Sequence, residues 1–442
     1  MTIGLCAALA ETGLAVQPFK KGPDYIDPMW LGRAARRPCY NLDFYTMQQN
    51  EITATVSRYS QHSDISIIEG NKGLYDGLDL DGSNSNAALA ELVKAPVILV
   101  LDARGMTRGI APLILGYQSF DDNINIAGVI LNQLGGSRHE TKLRSVIEHY
   151  TDVSVVGAVY RNKDLSIEER HLGLLPSNED HAADNKIIQI RDLIKDQIDL
   201  DKVQAIAQQA NPLPSFKQPE TAANIEKKIR IGIVKNEAFG FYYPDDLIAL
   251  KNTGAELITI DTLKDKQLAD IDGLFIGGGF PETRMQELED NQLIRAAIKS
   301  AIDNGLPTYA ECGGLMYLSR SLNWKGKTCK MVGAIPADTV MHDTPQGRGY
   351  IRLETTEQHP WNQDLSNNGK TDEIAGHEFH YSALENIDSS VKFAYRVKRG
   401  SGIDGKHDGI IYKNVLACYA HLRDTQANHW TQSFIDFVKK CK

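Results

Sequence analysis

Three short stretches of this chain carry residue types that can do chemistry together. In residues 306–318, LPTYAECGGLMYL, an apolar run is followed by Cys312 and then by Gly313 and Gly314. That order predicts a strand ending at Ala310, a tight turn holding Cys312, and a helix opened by the two glycines. A thiol in such a turn lies at the positive end of a helix dipole, which favours thiolate over thiol. The glycines let backbone N–H groups approach a reacting carbonyl as an oxyanion hole. Residues 271–282, IDGLFIGGGFPE, read as a second strand closing on a glycine turn, and 417–421, ACYAH, as a third that ends on His421, suited to act as a base. A lone Cys-Gly-Gly is more often a buried structural cysteine. The two distant partners shift the reading to acyl transfer, with Cys312 as nucleophile.

The first half of the chain holds a different set. Residues 17–28, QPFKKGPDYIDP, place Lys20, Lys21, Asp24 and Asp27 among rigid Pro and Gly joints beyond a strand. Ligands bind at that end of open parallel sheets, although an ordinary polar turn would look the same. Residues 64–69 form an apolar strand closing on Glu69, with Asp76 seven residues further on. A strand-end carboxylate suits magnesium beside nucleotide phosphates; a carboxylate in a plain turn is the blander reading. Arg33, Arg36 and Arg37 read as a solvated helix face.

The elements that must position these residues follow from periodicity. Residues 2–11 predict a helix with Gly13 as its C-terminal cap. Continuous apolar runs at 14–19, 64–69, 96–102, 126–132 and 153–160 alternate with helical stretches, and the last is expected to end the series. Such runs call for a parallel sheet covered on both faces. A doubly wound domain normally opens on a strand, whose phosphate-binding loop leads into the first helix. Here the sequence opens on the helix. The expectation is a sheet lacking one central strand, with its neighbours' ladder groups unpaired. A Pro-, Ala- and charge-rich stretch, 211–228, reads as a linker. The expected domains are 1–208 and 229–442, with 209–228 between them.

Composition narrows the classes. Two domains are the default for 442 residues. A net charge of −9 without a basic arm argues against nucleic acid as a partner. The six cysteines form no CxxC pair, which fits free thiols in a reducing cytoplasm, not a disulfide frame or zinc site. No apolar run reaches membrane-spanning length, and Glu11 interrupts the first one. A soluble cytoplasmic protein is expected, with a homodimer left open.

Taken together, VQPFKKGPDYIDP, IIEGNKGLYDG, APVILVLDA, AGVILNQL, ERHLGLLPS, NEAFGFYYPDDL, FIGGGFPE, AECGGLMYL, GHEFHYS and YAHL resemble, end to end, the cobyrinate a,c-diamide synthase family of tetrapyrrole biosynthesis. The resemblance implies an α/β protein of two doubly wound domains. The first would be a P-loop NTPase-like, dethiobiotin synthetase-like amidoligase domain, here lacking its first strand and phosphate loop. The second would be a class I glutamine amidotransferase domain. Such enzymes use MgATP to turn a side-chain carboxylate of the macrocycle into an acyl phosphate. Ammonia released from glutamine through a cysteinyl thioester then attacks it, once on the a and once on the c side chain.

Carried over by position, Cys312 and His421 would be catalytic, and Gly278, Gly279 and Gly313 the oxyanion donors. Glu69 would hold Mg²⁺. Lys20, Asp24, Ile26 and Asp76 would lie near the substrate carboxylate and the phosphates, and Asn132 near adenine. Glu378 and His380, in GHEFHYS, would be structural or touch substrate. Three departures matter. Many class I relatives carry Glu two residues after the histidine, where this chain has Arg423, so a Cys–His dyad is expected. No glycine-rich loop ending in Gly-Lys-Thr precedes the first helix. The expectation is an internal start, with about twenty to thirty residues upstream, enough for a strand and loop; loss of ATP use is the alternative. Finally, Met29-Trp30-Leu31 stand where many relatives have a histidine, which leaves the macrocycle open. Cobyrinate ranks first and sirohaem second, ahead of hydrogenobyrinate and Ni-sirohydrochlorin. A glutaminase-only protein and a non-catalytic binding module are the rival classes.

Overall fold

The computed structural model describes residues 1–170, 173–214, 229–361 and 373–442. Most of the expected linker 209–228, and His171 and Leu172 of the ERHLGLLPS motif, lie outside the described residues. Contacts divide the chain into two compact units, Met1–Phe44 with Gln48–Gln218, and Tyr45–Met47 with Pro219–Lys442. Among the described residues no helix is long and apolar enough to cross a membrane.

The first unit alternates helix and strand: α1 (Thr2–Glu11), β1 (Val16–Lys21), α2 (Ile26–Ala35), β2 (Tyr40–Leu42), α3 (Gln49–Ser60), β3 (Ile65–Glu69), α4 (Asn86–Leu92), β4 (Val97–Asp102), α5 (Ile110–Phe120), β5 (Ile126–Leu134), α6 (Ser137–Tyr150) and β6 (Ser154–Tyr160). Two two-residue strands, β7 (Glu169–Arg170) and β8 (Gly173–Leu174), follow β6, so 153–160 is the last long strand rather than the last. Helices α7 (Ala183–Lys195) and α8 (Leu200–Ala207) complete the unit. The strands form two separate parallel sheets, β2-β1-β3 and β4-β5-β6. Strand β1 runs on to Lys21, so Lys20 and Lys21 belong to a fully buried strand and not to the turn beyond it.

Strands β3 and β4 are each the outer strand of their sheet, and both line one cavity of about 650 Å³. Ile65, Ile67 and Ile68 of β3 face this slot together with Ile98 and Val100 of β4, while Met1 and Thr2 stand at its rim. Val100 is 46% exposed although it sits within a strand of the core pattern. Among the described residues no strand pairs with the outer edge of β3 or of β4.

The second unit begins with β9 (Arg230–Val234), β10 (Phe239–Phe241), α9 (Pro244–Asn252), β11 (Glu256–Ile260), β12 (Gly273–Ile276) and β13 (Gly278–Gly279). Helices α10 (Met285–Asp290) and α11 (Gln292–Asp303) lead to β14 (Thr308–Glu311) and α12 (Gly313–Leu318). Strands β15 (Ser321–Trp324), β16 (Lys327–Lys330), β17 (Asp338–Met341) and β20 (Ser382–Glu385) form a side sheet ordered β16-β15-β17-β20. With β18 (Gly347–Thr355), β19 (Glu373–His380), β21 (Lys392–Arg399), β22 (His407–Tyr412) and β23 (Val415–Cys418), the main sheet has the order β11-β9-β12-β14-β23-β22-β21-β18-β19. Its first five strands are parallel and the rest antiparallel.

Period-2 alternation sends Leu274 and Ile276 of β12 into one core and Phe275 into the other. On the first face Ile294, Ile298 and Ile302 of α11, four residues apart, are fully buried. Each such side chain contributes about 1.5–3 kcal/mol when removed from water. On the second face α13 (Trp430–Cys441) buries Trp430, Phe434 and Val438. A sheet clamped on both faces in this way fixes the ends of β12, β14 and β23, which carry the cysteine, the histidine and the glycine turn.

Candidate active site

Strand β14 extends one residue further than expected, through Glu311, and Cys312 stands alone between it and α12. Cys312 has φ 47° and ψ −101°. A side-chain-bearing residue there costs on the order of 1–3 kcal/mol and persists only when its surroundings over-determine it. Two backbone bonds do so: Cys312 N–H donates to Cys418 O at 2.7 Å, and Cys312 O accepts from Met316 N–H at 3.0 Å. Gly314 is dictated by close approach, because a Cβ there would lie 2.3 Å from the Ile276 carbonyl oxygen. A Cβ on Gly313 would lie 2.9 Å from Gly279 N, so the cysteine elbow and the glycine turn touch through backbone.

His421 reaches the same place from β23. Parallel pairing sets Glu311 opposite Cys418, so the chain three residues beyond β23 returns to the sheet end where Cys312 sits. Asp408, fully buried, anchors that chain: its carboxylate accepts from Gly409 N–H at 2.8 Å, Tyr419 N–H at 3.0 Å and Ala420 N–H at 2.9 Å. Burial still pushes its pKa up to about 6. Beyond it, the His421 backbone pairs with His377 of β19, N–H to O at 2.8 Å and O from N–H at 3.2 Å. The two imidazole rings stack at 4.9 Å. A Cβ on Gly278 would lie 2.6 Å from His421 Cε1. The three stretches that sequence chemistry singled out thus converge.

The electrostatics differ from the expected helix-stabilised thiolate. Burial pushes the Cys312 thiol well above its ordinary value, and the Glu282 and Glu311 carboxylates add to this; the Gly313 N–H offsets only part. Six residues of α12 cannot outweigh that desolvation. Burial thus favours the protonated thiol over the thiolate.

Sequence reasoning missed one neighbour. Glu311 Oε2 lies 3.3 Å from His421 Nδ1, with both side chains 3% exposed. Its other oxygen accepts from Tyr309 Oη–H at 2.6 Å and Leu422 N–H at 2.9 Å. The available signal was a carboxylate at the end of a fully apolar strand, which must find partners once buried. Arg423, whose place suggested a bare dyad, turns away: it is buried, pairs with Asp245 at 2.6 Å and lies over the Tyr243 ring. Glu378 accepts from Ser401 and Gly402 N–H at 2.6 and 2.8 Å, and His380 stacks on Tyr419 at 3.8 Å.

In the first unit, Lys20 gathers the polar end of β1. Its ammonium lies 2.5 Å from Asp27, 3.0 Å from Glu69 and 3.9 Å from Asp24. Ile26 N–H donates to Asp24 Oδ1 at 2.8 Å. Burial, then the neighbouring Asp27, pushes the Asp24 carboxyl up to about 7, while the carboxylates hold the Lys20 ammonium charged against its burial. Asp27, quoted in the motif but given no role, is thus Lys20's nearest partner. Asp76 and Asn132 make other contacts. Asp76 closes its own turn by accepting from Gly73 N–H at 3.0 Å, and Asn132 Oδ1 accepts from Gln133 N–H at 2.9 Å. Trp30, standing where relatives have a histidine nearby, is fully buried and donates to Leu175 O at 2.8 Å. Among the described residues no group of three His, Cys, Asp or Glu side chains is placed to hold a metal ion alone. Glu69 at a strand end fits Mg²⁺ in the other manner, through one or two carboxylates completed by water and phosphate oxygens.

Residues 230–428 match the CobB/CobQ-like glutamine amidotransferase domain, and residues 37–169 match an AAA domain. With a cysteine elbow, a histidine and a glycine turn at the ends of neighbouring parallel strands, the second unit is a glutamine amidotransferase domain. Cobyrinate a,c-diamide synthases of Magnetococcus marinus, Methanosarcina acetivorans and Archaeoglobus fulgidus are 43%, 39% and 38% identical to the chain. Each match covers 100% of this chain and, in the same order, 94%, 92% and 95% of the relative. The solved structure of PurLQS from Thermotoga maritima overlaps 48% of this chain and 99% of its own at 16% identity, with a TM-score of 0.37. The chain belongs to the cobyrinate a,c-diamide synthase family, whose members are amidating ligases that take nitrogen from glutamine.

Proposed function

We propose that this chain amidates the a and c side-chain carboxylates of a tetrapyrrole, cobyrinate first among them, with glutamine as nitrogen source and ATP as activating substrate. The observation that carries the reading is the convergence of Cys312, His421 and Gly278 in a chain whose likeness to named synthases runs end to end. In the glutaminase step His421 takes the Cys312 proton and the sulfur attacks the glutamine amide carbon. The C–N bond breaks as His421 returns the proton to the departing ammonia. Water then cleaves the thioester to glutamate. Backbone N–H groups of Gly278, Gly279 and Gly313 would carry the negative charge on the amide oxygen.

In the first unit Lys20 and Glu69 would face phosphate and Mg²⁺, and Asp24 with the Ile26 turn the substrate carboxylate. A carboxylate oxygen leaves poorly when ammonia attacks, and phosphate leaves well, which is the chemistry ATP supplies.

The test is mass spectrometry of products from MgATP, glutamine and a panel of cobyrinate, sirohaem and Ni-sirohydrochlorin. Double amidation of cobyrinate is expected. Glutamine consumption without any amidated product would leave a glutaminase.

A further inference from the structure

We propose that Glu311, one residue ahead of the nucleophile, is the positioning carboxylate that orients His421. The inference rests on the glutamine-hydrolysing reading of the same site. A buried carboxylate has to be satisfied by donors, and Glu311, 2% exposed, has three groups around it. Tyr309 Oη–H and Leu422 N–H hold Oε1, and the Oε2 atom so fixed faces His421 Nδ1 at 3.3 Å. Leu422 directly follows the histidine, so one side chain clamps both the imidazole and its backbone.

The chemical consequence concerns the tautomer. Nδ1–H donated to Glu311 leaves Nε2 without a proton and able to accept one from the Cys312 thiol. It also places a negative charge beside the imidazolium that forms as the thiol gives up its proton. This matters more here than at a solvent-exposed site, because burial disfavours the Cys312 thiolate. The position that supplies this carboxylate in other arrangements, two residues after the histidine, is occupied by Arg423, which is committed to Asp245 at 2.6 Å. The third member of the site therefore comes from the nucleophile's own strand.

Glu311→Gln separates orientation from packing. The amide oxygen can still accept from Tyr309 and Leu422, but its NH₂ then points at Nδ1 and forces the proton onto Nε2. Expected is a fall in kcat for glutamine hydrolysis of about 100-fold or more, with KM held within a few-fold. ¹⁵N NMR of His421 should show Nδ1–H in the native protein and Nε2–H in the variant. A framework role alone would shift stability and KM and leave the tautomer as it was. Should Glu311→Gln fail to fold, Glu311→Asp, one methylene shorter, is expected to fold with an intermediate kcat. Native-like kcat in either folded variant, or an Nε2–H tautomer in the native protein, would overturn the proposal. Native protein that releases no ammonia from glutamine would instead defeat the glutaminase reading, while the NMR result would still stand by itself.

Discussion

Gly278→Ala probes how tightly His421 is held. The added Cβ would start 2.6 Å from His421 Cε1, whereas ordinary contact begins at 3.4 Å, so the ring must retreat by about 0.8 Å. It has little room to do so. His377 stacks on it, its backbone is paired on both sides, and Phe241 Cβ lies 3.3 Å from the new methyl. A misplacement near 1 Å costs about 100-fold in rate, or ~2.7 kcal/mol of transition-state stabilisation. Overpacking of this kind costs about 1–3 kcal/mol of stability, so the variant should fold with a Tm a few degrees lower. Glutamate release measured under saturating glutamine should show the loss in kcat, while circular dichroism still reports a native-like fold. Gly314→Ala is the contrast. Its Cβ would meet a backbone carbonyl oxygen at 2.3 Å, which no side-chain adjustment relieves, and the variant should not fold. Native kcat in Gly278→Ala would refute the claim that His421 is wedged against the glycine turn.

Three further outcomes are expected. Asp408 binds a proton more tightly folded, near pH 6, than unfolded, near 3.8, so its contribution favours folding below pH 3.8 and is lost as pH rises to 6. Over that window Asp408→Asn should gain up to ~3 kcal/mol relative to the native chain in urea unfolding; a flat difference would count against the buried-charge account. Arg423→Glu, designed to recreate a carboxylate two residues after the histidine, would set it beside Asp245 and Asp246 and remove their cation. A stability loss of about 3–5 kcal/mol is expected, without any gain in glutaminase rate; a folded, faster enzyme would contradict this. Lys20→Met strips the cation from Asp24, Asp27 and Glu69, whose side chains stay 23–35% exposed. The cost should be about 1–2 kcal/mol at pH 8, and it should shrink at pH 5, where the Asp24 carboxyl, raised to about 7, is protonated; equal losses at both values would argue against mutual repulsion.

Local pattern by itself determined the elements and pointed to Cys312 and His421. The apolar runs at 64–69, 96–102 and 126–132 read as parallel strands, and they pair as such, although β3 and β4 are only partly buried. Cys312 before two glycines, with a histidine at the end of another apolar strand, already implied an elbow and a base. Partner choice was decided only by tertiary structure. Glu311 looked like part of a strand until the pairing of β14 with β23 set it beside His421. Arg423 looked like a missing catalytic carboxylate until Asp245 claimed it. The burial that raises the thiol's pKa against the pull of the helix dipole is likewise a property of the packed core, whereas a six-residue helix is legible in sequence. Hydrogen bonds across strands far apart in the chain leave no local periodicity, so a sequence can announce a buried acid without saying whom it serves.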